Sequence, residues 1–243
     1  MGFENKTALI TGATSGIGRA TAEQFAAAGA EVVISGRDET RGREVVDAIT
    51  AAGGRARFIA ADFTTPDDAG ELAEATGPVD VLVNNVGIFP FGPTHELPIS
   101  DLRSVLEVNV VAPFVLTAAL APSMAAAGGG AIVNVSTMVA SFGLPGMSAY
   151  GASKAALENL TKVWAAEYGP RNVRVNAVAP GPTRTPGTAV MGDEGIAQLA
   201  ATLPLGRAAS SEEIAKTIVF LASDDASFVN GAILPVDGGR TAV

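Results

Sequence analysis

Tyr150 and Lys154 stand four residues apart in the run Tyr150-Gly-Ala-Ser-Lys154, and Ser136 precedes the tyrosine by 14 positions, closing an apolar, strand-like stretch. On a helix, positions i and i+4 share a face, so a phenol and an ammonium would project into the same space. A neighbouring cation stabilises phenolate and draws a tyrosine pKa down from about 10 towards the range useful for proton transfer. A hydroxyl from a separate strand would hold the oxygen that gives or takes the proton. The three groups together describe a device that protonates a carbonyl oxygen or deprotonates an alcohol. YxxxK alone is weak evidence, and its context decides.

That context starts after the first apolar run, with Thr11-Gly12-Ala-Thr14-Ser15-Gly16-Ile17-Gly18 opening a helical pattern. Gly12 permits a tight turn, Gly16 lets backbone approach a diphosphate, and Gly18 lets the helix pack against a sheet. The spacing is GxxxGxG rather than GxGxxG, and its meaning comes from the strand–turn–helix setting. The second strand pattern ends Ser35-Gly36-Arg37. An acid there would hold ribose hydroxyls and favour NAD, whereas an arginine suits a 2′-phosphate, so NADP(H) is favoured over NAD(H). The bland alternative pairs Arg37 with Asp38 or Glu39.

The elements that must position these groups alternate along the whole chain. Strands are predicted at Thr7–Thr11, Glu31–Ser35, Ala56–Ala61, Val79–Asn84, Ala131–Ser136, Asn172–Val178 and Ala232–Val236. Helices are predicted at Ile17–Ala28, Glu39–Ala52, Pro66–Thr76, Ser100–Ala126, Ala149–Tyr168 and Ser211–Ala222. Continuous apolar strands separated by helices imply an α/β fold, a doubly wound parallel seven-stranded sheet with helices on both faces. Gly29, Gly53-Gly54 and Gly128-Gly129-Gly130 fall where helices should stop, and Ser211-Glu-Glu offers a helix start. Residues 1–243 read as one Rossmann-like catalytic domain. Pro, Gly and Thr crowd the stretch from Pro180 to Arg207, which reads as a mobile substrate lid over about 182–207. Asp62, Asn84-Asn85-Val86-Gly87 and Ser136 gather at the carboxyl ends of strands, where open α/β sheets bind ligands.

Bulk properties exclude several classes. The chain has 243 residues, no cysteine and a formal net charge of −9, which removes disulfides and thiolate chemistry and disfavours nucleic acid and anionic membranes. Val110 to Pro122 is the most apolar segment, too short to span a bilayer and interrupted by Pro113. No basic, apolar leader opens the chain, and the expectation is a soluble cytoplasmic protein. His95 is the single histidine, so a zinc site or a Ser-His-Asp triad has little to stand on, no metal is expected, and His95 reads as a loop residue.

With TGATSGIG at 11–18, NNVG at 84–87, Asn109, Ser136, YGASK at 150–154, PGPTRT at 180–185 and VDGG at 236–239, the chain resembles the short-chain dehydrogenase/reductase family over essentially its full length. The resemblance implies Tyr150 as general acid/base, Lys154 lowering its pKa and bonding the nicotinamide ribose, Ser136 on the substrate oxygen, and Asn109 holding a water in a relay to Lys154. It implies a cofactor site of Gly12, Thr14, Ser15, Gly16, Ile17, Gly18, Arg37, Asp62, Phe63, Asn85, Gly87, Pro180, Gly181, Thr183 and Thr185, with Tyr150 and Lys154. In it Asp62 would take the adenine amino group, Asn85 and Gly87 the adenosine ribose, and Thr183 and Thr185 the carboxamide. Val86, where the family usually has alanine, is the one departure.

By family position, Met138, Val139, Phe142, Pro145, Met147, Phe89, Phe91 and parts of Pro186 to Leu203 face the substrate, an apolar set with Arg184 as its one cation. A small carbonyl or secondary alcohol, exchanged with NADP(H), is the expected substrate. A 3-oxoacyl-[acyl-carrier-protein] reductase is the specific alternative; its acidic partner wants basic residues at the entrance, and Arg171 and Arg174 are the ones directly after the catalytic helix. A nucleotide-binding sensor without turnover is the alternative from another class. The long apolar faces of Ser100–Ala126 and Ala149–Tyr168 exceed what one sheet buries, and by analogy a homotetramer, a dimer of dimers, is expected.

Overall fold

A computed structural model describes residues 2–243. Its strands are β1 (Thr7–Thr11), β2 (Glu31–Gly36), β3 (Arg55–Ala60), β4 (Val81–Asn84), β5 (Gly130–Val135), β6 (Val173–Pro180) and β7 (Ile233–Val236). They form one sheet of order β3-β2-β1-β4-β5-β6-β7, every neighbouring pair parallel. The order reverses between β1 and β4, and the crevice above that point receives the glycine turn on one side and the NNVG loop on the other.

Period-two alternation sorts the buried strand residues onto two cores. Ile10, Ile34, Val83 and Val133 pack under α1 (Gly16–Ala27), α2 (Glu39–Ala51) and α8 (Ser211–Ala222). Leu9, Val33, Leu82 and Ile132 pack under α3 (Pro66–Thr76), α5 (Ala112–Ala126) and α6 (Ser148–Tyr168). Leu9, Leu82 and Leu116 are fully buried, and each such side chain contributes about 1.5–3 kcal/mol by leaving water.

The predicted helix Ser100–Ala126 is interrupted. α4 (Ile99–Leu106) passes into a π-helical turn over Glu107–Val111 before α5 begins, with the Ala112 N–H donating five residues back to Glu107. Pro113 has no N–H for the residue four back, Asn109, and the widened turn absorbs the lost bond. The rod stays continuous over Ile99–Ala126, long and apolar enough by composition to cross a membrane, but half of its most apolar window is buried in the fold. The short span expected from Val110–Pro122 is corrected accordingly.

Other boundaries moved for local reasons. β5 stops at Val135, leaving Ser136 just beyond it. The cap of α8 is Ser210, whose hydroxyl and Glu213 carboxylate form a reciprocal box, not Ser211. The stretch read as a lid contains α7 (Gly192–Ala200), whose Ile196 and Ala200 close on Ala208 in a small separate core. Gly29, Gly53 and Gly128 take the positive φ that helix ends favour.

Candidate active site

α6 runs antiparallel to the strands, so its first turns sit over their carboxyl ends. Three consecutive residues leaving β5 meet it in turn. The Val135 carbonyl accepts from Lys154 Nζ at 2.8 Å, Ser136 Oγ donates to Glu158 Oε1 at 2.6 Å, and the Thr137 side chain lies beside the Tyr150 hydroxyl. Asn134, two residues before Ser136, reaches Thr161 on the same helix. Period two therefore sends Ser136 down the helix and leaves Thr137 at the sheet edge beside the phenol. This corrects the expectation for Ser136: its hydroxyl belongs to Glu158, and the hydroxyl beside Tyr150 is Thr137. The sequence reading missed Thr137, although the strand alternation from Asn134 carried the signal.

Burial pushes the Tyr150 phenol up to about 12, with the Thr137 side chain opposing. Burial also holds Lys154 down to about 8, and its side chain is 2% exposed. The expected depression of the phenol by Lys154 is therefore absent from the protein's own groups: burial raises the phenol, and the ammonium donates to the Val135 carbonyl.

Asn109 sits in the π-helical turn, buried. Its amide brackets Ile88, with Oδ1 accepting from the Ile88 N–H and Nδ2 donating to the Ile88 carbonyl, both at 2.9 Å, and a further bond to Ser153 Oγ. A Cβ on Gly87 would lie 3.2 Å from Lys154 Nζ and 3.4 Å from Asn109 Oδ1, so both groups press on the bare face of that glycine.

The glycine turn is a cradle that side chains would fill. Gly12 and Gly16 have φ of 63° and 55°. A Cβ on Gly12 would come within 3.0 Å of the Asn85 amide, one on Gly16 within 3.2 Å of Thr185, and one on Gly18 would strike the Gly12 carbonyl. Backbone at this helix start is thus open to a diphosphate, with Thr14, Ser15 and Ile17 in the turn. Thr14 packs on Gly36, and Ser15 precedes α1 without a side-chain cap bond. Asn85 holds the turn: Nδ2 donates to the Thr11 and Gly12 carbonyls at 2.8 and 3.1 Å. Its amide nitrogen is committed there.

At the other end of the groove, Arg37 is 70% exposed and lies 3.4 Å from Asp62, while Asp38 is taken by Arg41 and Glu39 by Arg43. Neither bland partner holds the guanidinium. Phe63 follows with a left-handed φ of 59° and is buried, a strained conformation for an aromatic residue. Thr183 donates to the Gly181 carbonyl, and Thr185 exchanges bonds with Thr188, fixing the chain after Pro180 against Gly16.

Of the substrate-facing set, Phe89 stands edge-on to Tyr150 with ring centroids 5.9 Å apart, and Phe91 covers Gly146. Phe142 lies beneath the Arg240 guanidinium, and Met147 sits half-buried just before α6. Met138 and Val139 are buried rather than open, which corrects their placement. Arg184 is paired with Asp193. His95 is an exposed loop residue beside Glu96.

A parallel sheet with a glycine turn at its switch point, and a tyrosine, lysine and hydroxyl gathered beside it, is the arrangement of an α/β oxidoreductase. Residues 12–241 match the family model described as enoyl-(acyl carrier protein) reductase. The chain belongs to the short-chain dehydrogenase/reductase family. It is 44% identical to the cis-4-hydroxycyclohexanecarboxylate dehydrogenase of Sinomonas cyclohexanicum over 99% of this chain and 98% of the relative. It is 39% identical to the 3-oxoacyl-[acyl-carrier-protein] reductase of Thermotoga maritima, covering 98% of this chain and 99% of the relative. A solved blue fluorescent protein from a metagenomic library, in complex with NADPH, superposes with a TM-score of 0.93 at 36% identity, covering 99% of each chain. This family membership makes the chain an oxidoreductase and sets aside the reading as a sensor without turnover.

Proposed function

We propose that the protein is an NADP(H)-preferring reductase or dehydrogenase that interconverts a small ketone and its secondary alcohol, with Tyr150 as general acid/base. The observation that carries this reading is the placing of the Tyr150 hydroxyl beside Thr137 and a buried Lys154, above a glycine cradle that excludes side chains. Hydride donation or acceptance is the chemistry a bound nicotinamide supplies. Gly12, Gly16 and the start of α1 would hold the diphosphate, and exposed Arg37 the 2′-phosphate. Lys154 would face the nicotinamide ribose, and Thr183 and Thr185 the carboxamide. Thr137 and Tyr150 would converge on the substrate oxygen, Thr137 orienting it while Tyr150 gives or takes its proton. Phe89, Phe91, Phe142 and Met147 give the substrate an apolar surround.

A carrier-protein substrate is the weaker reading. Arg174 donates to the Leu221, Ala222 and Ser223 carbonyls, and Arg171 lies over the Tyr168 ring, so neither offers a free cation to an acidic partner. A relative named for a hydroxycyclohexane substrate favours a compact ring alcohol instead. The exposed Phe114 and Val163 on α5 and α6 support pairing of these helices in a homotetramer, which sedimentation at micromolar concentration tests. Cytoplasmic residence belongs to the same proposal.

The test is a matrix of NADPH and NADH against cyclic ketones, sugars, quinones and oxoacyl thioesters, followed by absorbance, for the wild type and Tyr150→Phe. NADPH oxidation by ring ketones that vanishes in Tyr150→Phe, with cofactor binding retained, is the expected result. Undiminished turnover in that variant would assign the proton to another group.

A further inference from the structure

We propose that Ser136 and Glu158 form a positioning couple that holds the end of β5 on α6, so that Thr137 and Lys154 are presented to Tyr150 in register. The inference rests on the proton-transfer reading above and adds to it two residues that touch neither substrate nor cofactor. Three adjacent β5-end residues grip one face of α6, through Lys154, Glu158 and Tyr150. Positions 150, 154 and 158 succeed one another at i+4, so the three grips lie along a single stripe. The outer two concern groups assigned to chemistry. The middle one is 2.6 Å long and joins a 3% exposed serine to a half-buried carboxylate.

A carboxylate in that position is costly by desolvation unless hydrogen bonds hold it. Burial raises the Glu158 carboxyl, and the Ser136 bond together with the Lys162 charge opposes that. A neutral apolar residue would pack there without this cost, so the bond's specific product is geometry: it fixes where the 135–137 backbone sits against the helix. A hydroxyl bond to a charged acceptor is among the stronger kinds in proteins. Its loss frees the tripeptide to slide, and a misplacement of about 1 Å at reacting groups costs on the order of 10²-fold in rate.

The test compares Ser136→Ala, Glu158→Leu, Glu158→Gln and the Ser136→Ala/Glu158→Leu double variant, with Ser136→Cys replacing the alanine should that variant not fold. Two readouts are taken: NADPH-dependent reduction of cyclohexanone, and the titration of Lys154 by NMR of labelled lysine. The chain has four lysines, and burial holds Lys154 near 8. Ser136→Ala and Glu158→Leu should each lower kcat at least ~10-fold, with KM for NADPH within about twofold. Both should raise the proton affinity of Lys154 at least ~10-fold as water reaches its ammonium. The double variant should be no worse than either single one, because both break the same bond. Glu158→Gln keeps an acceptor and should stay near wild type. Ser136→Ala unchanged in both readouts overturns the proposal, and so does Glu158→Gln matching Glu158→Leu, which would mean charge acts rather than position. Should Tyr150→Phe remain active, the proton-transfer reading fails, while the Lys154 titration still reports whether the couple positions it.

Discussion

Replacing Thr137 with valine removes one oxygen and keeps the branched shape, so the substitution isolates the hydroxyl. The side chain is 8% exposed, lies beside the Tyr150 hydroxyl and accepts a long 3.3 Å bond from the Val139 N–H. Losing the long bond leaves one N–H under-satisfied, a cost of about 1 kcal/mol and a fall in Tm of roughly 2–4 °C for a chain this size. The catalytic loss is larger: deleting one preorganised donor at a developing oxyanion costs about 10²–10³ in kcat, or roughly 3–4 kcal/mol. Thr137→Ser keeps the donor and should retain most activity. Steady-state NADPH oxidation over a ketone series, with melting curves alongside, gives both quantities. Thr137→Val keeping more than half of kcat, or Ser136→Ala costing more than Thr137→Val, would falsify the assignment of the hydroxyl.

Five further outcomes are expected. Lys154, held near 8 in the fold, lets the unfolded chain bind more protons between pH 8 and its ordinary 10.5, so stability should rise with pH across that window. Tyr150, raised from 10 to about 12, does the opposite, and stability should fall from pH 10 to 12; melting curves of wild type, Lys154→Met and Tyr150→Phe separate the two slopes. Arg37→Asp should move the kcat/KM ratio from NADPH towards NADH by on the order of 10²-fold, the scale of a lost charge-assisted contact, and an unchanged ratio would place the 2′-phosphate elsewhere. Gly36→Asp should fail as a switch to NADH by itself, because its Cβ would come 2.7 Å from Thr14 Cγ2, while a companion Thr14→Ala should restore binding, as read by fluorescence titration. Gly87→Ala should lower kcat with little change in fold, since its methyl would stand 3.2 Å from Lys154 Nζ.

The sheet was legible because its strands are short apolar runs bounded by glycine, and periodicity reports burial on both faces directly. The π-helical turn was not, because Pro113 inside an apolar run announces a fault without saying how the backbone repairs it. α7 was hidden by the glycines at 192 and 195 and by a core of only a few small residues. At the site, Tyr150, Lys154 and the glycine turn are fixed by local spacing and were readable. Ser136 against Thr137 was a choice between adjacent hydroxyls, decided by the partner that α6 offers each, and a linear motif does not encode a helix's reach. The pKa direction of Tyr150 failed for a related reason: the cation was in the sequence, while the desolvation that raises the phenol depends on what packs around the ring.

The glycine turn is tied from behind before any ligand arrives. Asn85 grips two of its carbonyls, and Thr11 Oγ1 accepts from the N–H groups of both Asn85 and Val86. A loop so braced has little disorder left to surrender, and recognition there resembles a key meeting a finished lock. Differences in affinity among dinucleotides should then arise at the distant adenosine end, around Arg37 and Asp62, where the side chains are exposed and still have freedom to lose.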